Sequence, residues 1–229
     1  MDFVSRASRF CELVRPVGIA QPIDSWSNGF FVIVTILIVW DISKRKLTSP
    51  FAAKWGYLYA VIVALIGLTS FWNHATLSHA GGTADVESMF LLASFLILYG
   101  LSRLTSFKSA WQIALLVLAN IPLTYIASLP GPITDYTFAF LILAVIGLEL
   151  IIYISHRYSI KIAHFGWALL SLLAGYLIWQ LDVRGIWCNP TSFWQGHAFW
   201  HLLTAVAAGL FYLNLASERP KIAEVVGGL

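Results

Sequence analysis

Residues 133–154 read ITDYTFAFLILAVIGLELIIYI, and this stretch decides the fold class. It runs for 22 residues with only two charges, Asp135 and Glu149. A helix rises about 1.5 Å per residue, so about 20 apolar residues cross the hydrocarbon core of a bilayer. Lipid offers no water to satisfy backbone N–H and C=O groups, so such a stretch must be a helix. Six further stretches read the same way, at about 25–42, 55–77, 85–102, 110–128, 162–181 and 192–215. The breaks between them carry charge and turn residues: Lys44-Arg45-Lys46, Gly81-Gly82, Arg103 to Lys108, Pro130-Gly131-Pro132, His156-Arg157 to Lys161, and Asp182 to Pro190. The expectation is an all-α membrane protein, a seven-helix transmembrane bundle forming one domain over residues 1–229.

Composition agrees. Apolar residues make up 59% of the chain and charged residues 11%, against about 25% charged in an ordinary globular protein. Too little charge is present to cover a water-facing surface, so most of the outside must face lipid. A net charge of +3 without a basic, aromatic-interleaved run gives no reason to expect a nucleic-acid partner. No loop is large enough for a soluble domain, and no protein partner is predicted. Residues 1–10 include Asp2, Arg6 and Arg9 and lack an apolar core. The first span is therefore expected to act as an uncleaved insertion signal.

Lys and Arg set orientation, because loops rich in them stay in the cytoplasm. The loops after spans one, three and five, with the C-terminal tail, hold Lys44, Arg45, Lys46, Lys54, Arg103, Lys108, Arg157, Lys161, Arg219 and Lys221. The other side holds Arg6, Arg9, Arg15 and Arg184. Ten against four predicts an outside N-terminus and a cytoplasmic C-terminus.

Ionisable groups within spans are costly and point to function. The sharpest signal is His197-Ala198-Phe199-Trp200-His201, near the start of span seven. Residues four apart share a helix face, and two imidazoles so placed can grip one metal ion. Alone, such a pair is as well explained by ordinary hydrogen bonding. The pattern lacks the Glu that follows the first His in zinc-protease helices, so a general base must come from elsewhere. Near the end of span two, Ser70 and His74 also share a face. Asp85 opens span three, where the plainer reading is a first-turn acid, with Thr83 or Asp85 capping the helix. Ser70 could equally bond back to its own helix.

Depth joins these signals. In a seven-span chain the end of span two, the start of span three and the start of span seven lie in one leaflet. Three histidines and an open fourth position describe a catalytic zinc site. Zinc there acidifies water and polarises a carbonyl, as hydrolysis of an amide or ester requires. Asp85 is the candidate base and Ser70 the candidate oxyanion donor. His79 is expected in the loop after span two, while His156 and His164 belong to the opposite leaflet. Glu149 faces the bundle interior at that opposite end, with a polar neighbour.

Ser70-x-x-x-His74, then Asp85, then His197-x-x-x-His201 on the last of seven spans resembles the alkaline ceramidases. They belong to a superfamily of intramembrane hydrolases that includes the adiponectin receptors. Cys11-Glu12 and the stretch Gln21 to Asn28 are similar to bacterial members. The resemblance implies a zinc-dependent amidase that converts ceramide-like N-acyl lipids to a sphingoid base and a fatty acid through a zinc-activated water. It implies His74, His197 and His201 as zinc ligands, Asp85 on the water and Ser70 on the oxyanion. It also implies a disulfide between Cys11 and Cys188, both on the predicted outer side. Animal members carry a calcium site near the N-terminus. Here Glu12 and Asn28 are its candidates, with Gln21 and Asp24 nearby. Gln21 in place of an acid, and Arg9 beside it, count against calcium.

The substrate follows less tightly than the chemistry. A hydrolase of another acyl lipid would use the same residues, and a seven-helix lipid receptor of the adiponectin-receptor type is the alternative outside enzymes. A transporter would need broken helices and ionisable groups at the bilayer centre. The expected location is a bacterial inner membrane, with the metal site toward the periplasm.

Overall fold

The computed structural model describes residues 9–44, 51–105 and 109–220. Arg6, Arg45, Lys46, Lys108 and Lys221 of the charge count lie outside the described residues. The elements are α1 (Pro22–Ser27), α2 (Gly29–Lys44), α3 (Ala52–Thr76), α4 (His79–Leu104), α5 (Ser109–Ser128), α6 (Ile133–Ile154), β1 (Tyr158–Ser159), α7 (Ile162–Val183), α8 (Gly196–Ala216) and β2 (Arg219–Pro220). Among the described residues, seven helical segments are long and apolar enough to cross a membrane, α1 and α2 together forming the first. The chain is an integral, multi-pass membrane protein. A two-residue antiparallel ladder pairs Tyr158 with Pro220 and Ser159 with Arg219.

The helices differ in how much they bury. In α3 and α4, 44% of the spanning window is inside the protein, against 17% in α5 and α7. The two central helices are thus the ones with polar faces to hide. Their outer neighbours present Val117, Leu118, Ile121, Leu143, Leu170 and Leu173 outward, as lipid requires. The core between α2, α3, α4 and α8 is built from Phe31, Tyr59, Ile62, Val63, Phe95, Tyr99, Phe211 and Tyr212. Hydroxyls and amides join helices where apolar packing alone gives little drive in lipid. Tyr59 donates to Ala208 O at 2.7 Å, Tyr212 to Asp41 at 2.9 Å, and Asn120 to Ser94 at 2.9 Å.

The α3–α4 turn positions the site. Only Leu77 and Ser78 separate the two helices. Leu77 takes the left-handed conformation (φ 49°), and its N–H closes α3 on Asn73 O at 2.7 Å. Ser78, not Thr83 or Asp85, caps α4, its hydroxyl accepting from Gly81 N at 3.1 Å. Helix α4 thus begins six residues before the expected position, and His79 is its exposed first residue rather than part of a loop. The Gly81-Gly82 pair is helical, not a break. A Cβ on Gly81 would stand 3.0 Å from the Asn73 backbone and 2.9 Å from Ser78 Oγ. Glycine lets the turn close, and closure brings Asn73 beside Asp85.

The N-terminal segment then wraps the same end of the bundle. Its Ala20 and Gln21 N–H groups bond Ala75 O (3.0 Å) and His74 O (3.1 Å). These are terminal carbonyls of α3 that the helix itself leaves unpaired. Leu13 N bonds Pro190 O at 3.0 Å, and a disulfide joins Cys11 to Cys188.

Candidate metal centre

Three helix ends meet under that wrap. Near the end of α3, His74 is buried; His197 and His201, one turn apart at the start of α8, are buried beside it. One ring nitrogen from each lies within 4.8 Å of the others. His74 Nε2 and His197 Nε2 are 3.1 Å apart. Among the described residues, this is the one group of three or more His, Cys, Asp or Glu side chains able to hold a metal ion.

The outer nitrogens explain why the inner ones are free. His74 Nδ1 lies 2.9 Å from Gln21 Oε1, and an amide oxygen only accepts. His74 therefore carries its proton on Nδ1 and turns the Nε2 lone pair inward. The Ser27 hydroxyl donates to Asp24 O at 2.8 Å, so its oxygen accepts from His201 Nδ1 at 2.7 Å. His201 likewise presents a bare Nε2. Such outer partners, which fix tautomer and ring pose, are the usual accompaniment of metal-binding histidines. His197 Nδ1 has no hydrogen-bond partner. Its ring is held instead by Phe10, stacked with centroids 3.6 Å apart. The donor set, all neutral imidazole nitrogens in a buried pocket, suits zinc.

Ser70 and Asp85 border the cluster. Ser70 Oγ is 3.4 Å from His201 Nε2, and the same hydroxyl faces Asp85. Asn73 Nδ2 donates to Asp85 Oδ2 at 2.8 Å, which holds the carboxylate in place. His79 stays outside this group, and His156 and His164 lie at the other end of the bundle.

The calcium candidates behave differently. Glu12 Oε1 and Oε2 accept the N–H groups of Ile23 and Asp24, both at 2.8 Å, so this side chain caps α1 from outside. Burial raises the Glu12 carboxyl above its ordinary range, and those two N–H groups oppose the rise. Asn28 Nδ2 donates to Asp24 O at 2.9 Å. Asn28 Oδ1 and both carboxylate oxygens of Asp24 are buried without hydrogen-bond partners. Gln21, the remaining oxygen donor, faces His74. Glu12 and Gln21 are thus engaged by the start of α1 and by His74, whereas Asp24 and Asn28 keep the buried oxygens that have no partner.

Compared with known protein families, the chain matches Ceramidase over residues 9–221. The chain belongs to the ceramidase family. No curated protein and no solved structure shows a significant match to it. Ceramidase membership makes the protein an enzyme, a hydrolase of amide bonds. The match begins at Arg9, so the N-terminal wrap that carries Phe10, Gln21 and Ser27 is included in the ceramidase pattern.

Sequence reading missed four features of this ceramidase centre. Gln21 and Ser27 orient two histidines, Asn73 holds Asp85, and Phe10 covers His197. Asn73 follows Ser70 by three residues, a helix-face spacing that says nothing of a partner, and Phe10, Gln21 and Ser27 carry no spacing signal at all.

Proposed function

We propose that the protein is a zinc-dependent ceramidase that cleaves the amide bond of ceramide-like N-acyl lipids, releasing a sphingoid base and a fatty acid. The observation that carries this reading is the convergence of three buried imidazoles, two with the tautomer fixed from outside. His74, His197 and His201 would hold the ion. When bound, zinc supplies a Lewis acid and lowers the pKa of water at an open coordination position.

The chain's own groups do the rest. Asp85, steadied by Asn73, takes the proton from the attacking water and can return it to the leaving amine. The Ser70 hydroxyl, between His201 and Asp85, donates to the oxygen that becomes negative as the carbonyl is attacked. A lipid substrate reaches the site from the bilayer. The Lys/Arg asymmetry supports a cytoplasmic C-terminus and a metal centre on the periplasmic side of a bacterial inner membrane. Labelling of single introduced cysteines from outside tests that orientation, and labelling of the α6–α7 loop would reverse it.

The substrate is tested by mass spectrometry of products from a panel of ceramides, other N-acyl lipids and ester lysolipids. Free sphingoid base is the expected product. Release of fatty acid from ester lipids alone would reject the amide reading.

A further inference from the structure

Asp182, at the end of α7, takes no part in the chemistry above. It is 2% exposed and lies between two pieces of chain that both reach the metal centre. On one side, its Oδ2 accepts the backbone N–H of Cys11 at 3.1 Å. On the other side, α8 begins, and the carboxylate lies against Gly196 and near the N–H groups of Gly196 and His197, its Oδ1 making no hydrogen bond. The first N–H groups of a helix lack intrahelical partners, and a negative charge is favoured beside them. Helix α8 does not meet this need from its own sequence. Its N-cap residue, Gln195, makes no capping bond. The Gln195 amide instead donates to Ser192 O at 2.6 Å and Asn189 O at 3.1 Å. Asp182 instead places a negative charge beside this helix start from a neighbouring helix, without a hydrogen bond to it.

Residue 196 is glycine for the same reason. A Cβ there would stand 2.8 Å from Asp182 Cβ and 3.0 Å from Asp182 Oδ1, closer than packed atoms come. The carboxylate therefore sits directly on the first residue of α8, and His197 is the second. The Cys11 contact reaches the same histidine by another route, because the adjacent Phe10 stacks on the His197 ring. His197 is also the one histidine of the three whose Nδ1 has no hydrogen-bond partner. Its pose depends on where the backbone stands and on the ring above it, and Asp182 touches the chain at both.

We propose that Asp182 is a positioning residue of the metal centre, its carboxylate fixing the start of α8 and the Cys11 backbone so that His197 meets the ion. The inference rests on the metal reading above. It is tested on the full-length protein in detergent with Asp182→Asn and Gly196→Ala. The first keeps shape and loses charge; the second leaves the carboxylate present and displaces it. Zinc affinity is read by chelator competition, and geometry by the visible spectrum of the cobalt-loaded protein. Both variants should bind zinc about 10–100-fold more weakly, the range for lost outer partners, and shift the cobalt spectrum. The double variant should be no worse than the worse single, since both act through one contact. Wild-type affinity and spectrum in both variants would overturn the proposal. So would a lower melting temperature of metal-free protein with an unchanged spectrum, which is what a merely structural role predicts. If wild type itself binds neither ion, the metal reading falls and this inference with it; failure confined to the variants' outcome touches this inference alone.

Discussion

Two hydrogen bonds decide which nitrogen His74 and His201 offer, and neither partner is charged. Gln21 and Ser27 accept the Nδ1 protons, so Nε2 is left bare. Gln21→Leu removes the acceptor from His74 and should weaken zinc binding about 10–100-fold, measured by chelator competition; an unchanged affinity would show that Gln21 is incidental. Asp85 bears on turnover rather than on metal. Asp85→Asn should keep its zinc and lose about 10²–10⁴-fold in turnover, the worth of a general base. Unchanged turnover would remove Asp85 from that role. The histidines and Asp85 stood out in the sequence because ionisable groups are rare in spans, and Ser70 because it lies four residues before His74 on one helix face. Gln21, Ser27 and Asn73 were not, because a neutral amide or hydroxyl bonds whatever it meets and leaves no pattern.

At the scale of elements, the site is a meeting of helix ends. His74 sits in the last turn of α3, a two-residue turn leads into α4, and α8 starts at Gly196. The N-terminal wrap closes over the end of α3 and the start of α8, with Glu12 capping α1 and the disulfide holding the wrap to the α7–α8 loop. Cys11→Ser should cost about 2–4 kcal/mol of stability, seen as a lower melting temperature without reductant. It should also weaken zinc, because Phe10 and the Cys11 N–H are released together. A variant that melts earlier but binds zinc as tightly would separate the wrap from the metal centre. Run length and turn residues made the spans readable. The start of α4 was misread because Gly81-Gly82 looks like a break, whereas close packing on Asn73 makes glycine a requirement of the turn.

Across the whole molecule, the ends of the bundle carry different chemistry. Opposite the histidines, buried Arg103 of α4 pairs with Glu149 of α6 and with Glu218 just past α8. Tyr99 donates to Glu218 at 2.9 Å, and Asn214 to Glu149 at 3.2 Å. Glu149 was expected to find a polar neighbour; that Glu218 completes the cluster was not legible, since one acid after a span has no period. Burial lifts the Glu218 carboxyl from 4.5 to about 7, and Arg103 opposes the rise. A carboxyl raised in the folded state holds its proton more tightly there than in the unfolded chain. Its contribution to stability is full below 4.5 and is lost as pH rises through about 7. The melting temperature should therefore fall over that window, and Glu218→Gln should flatten the fall. An identical pH profile in the variant would assign the dependence to other groups.

The most direct test of the metal reading is elemental analysis of the purified protein alongside lipid hydrolysis. About one zinc per chain is expected, the count a single three-histidine site implies. His201→Ala should lose both the zinc and the hydrolysis. Metal-free protein that still hydrolyses ceramide at the full rate would contradict it.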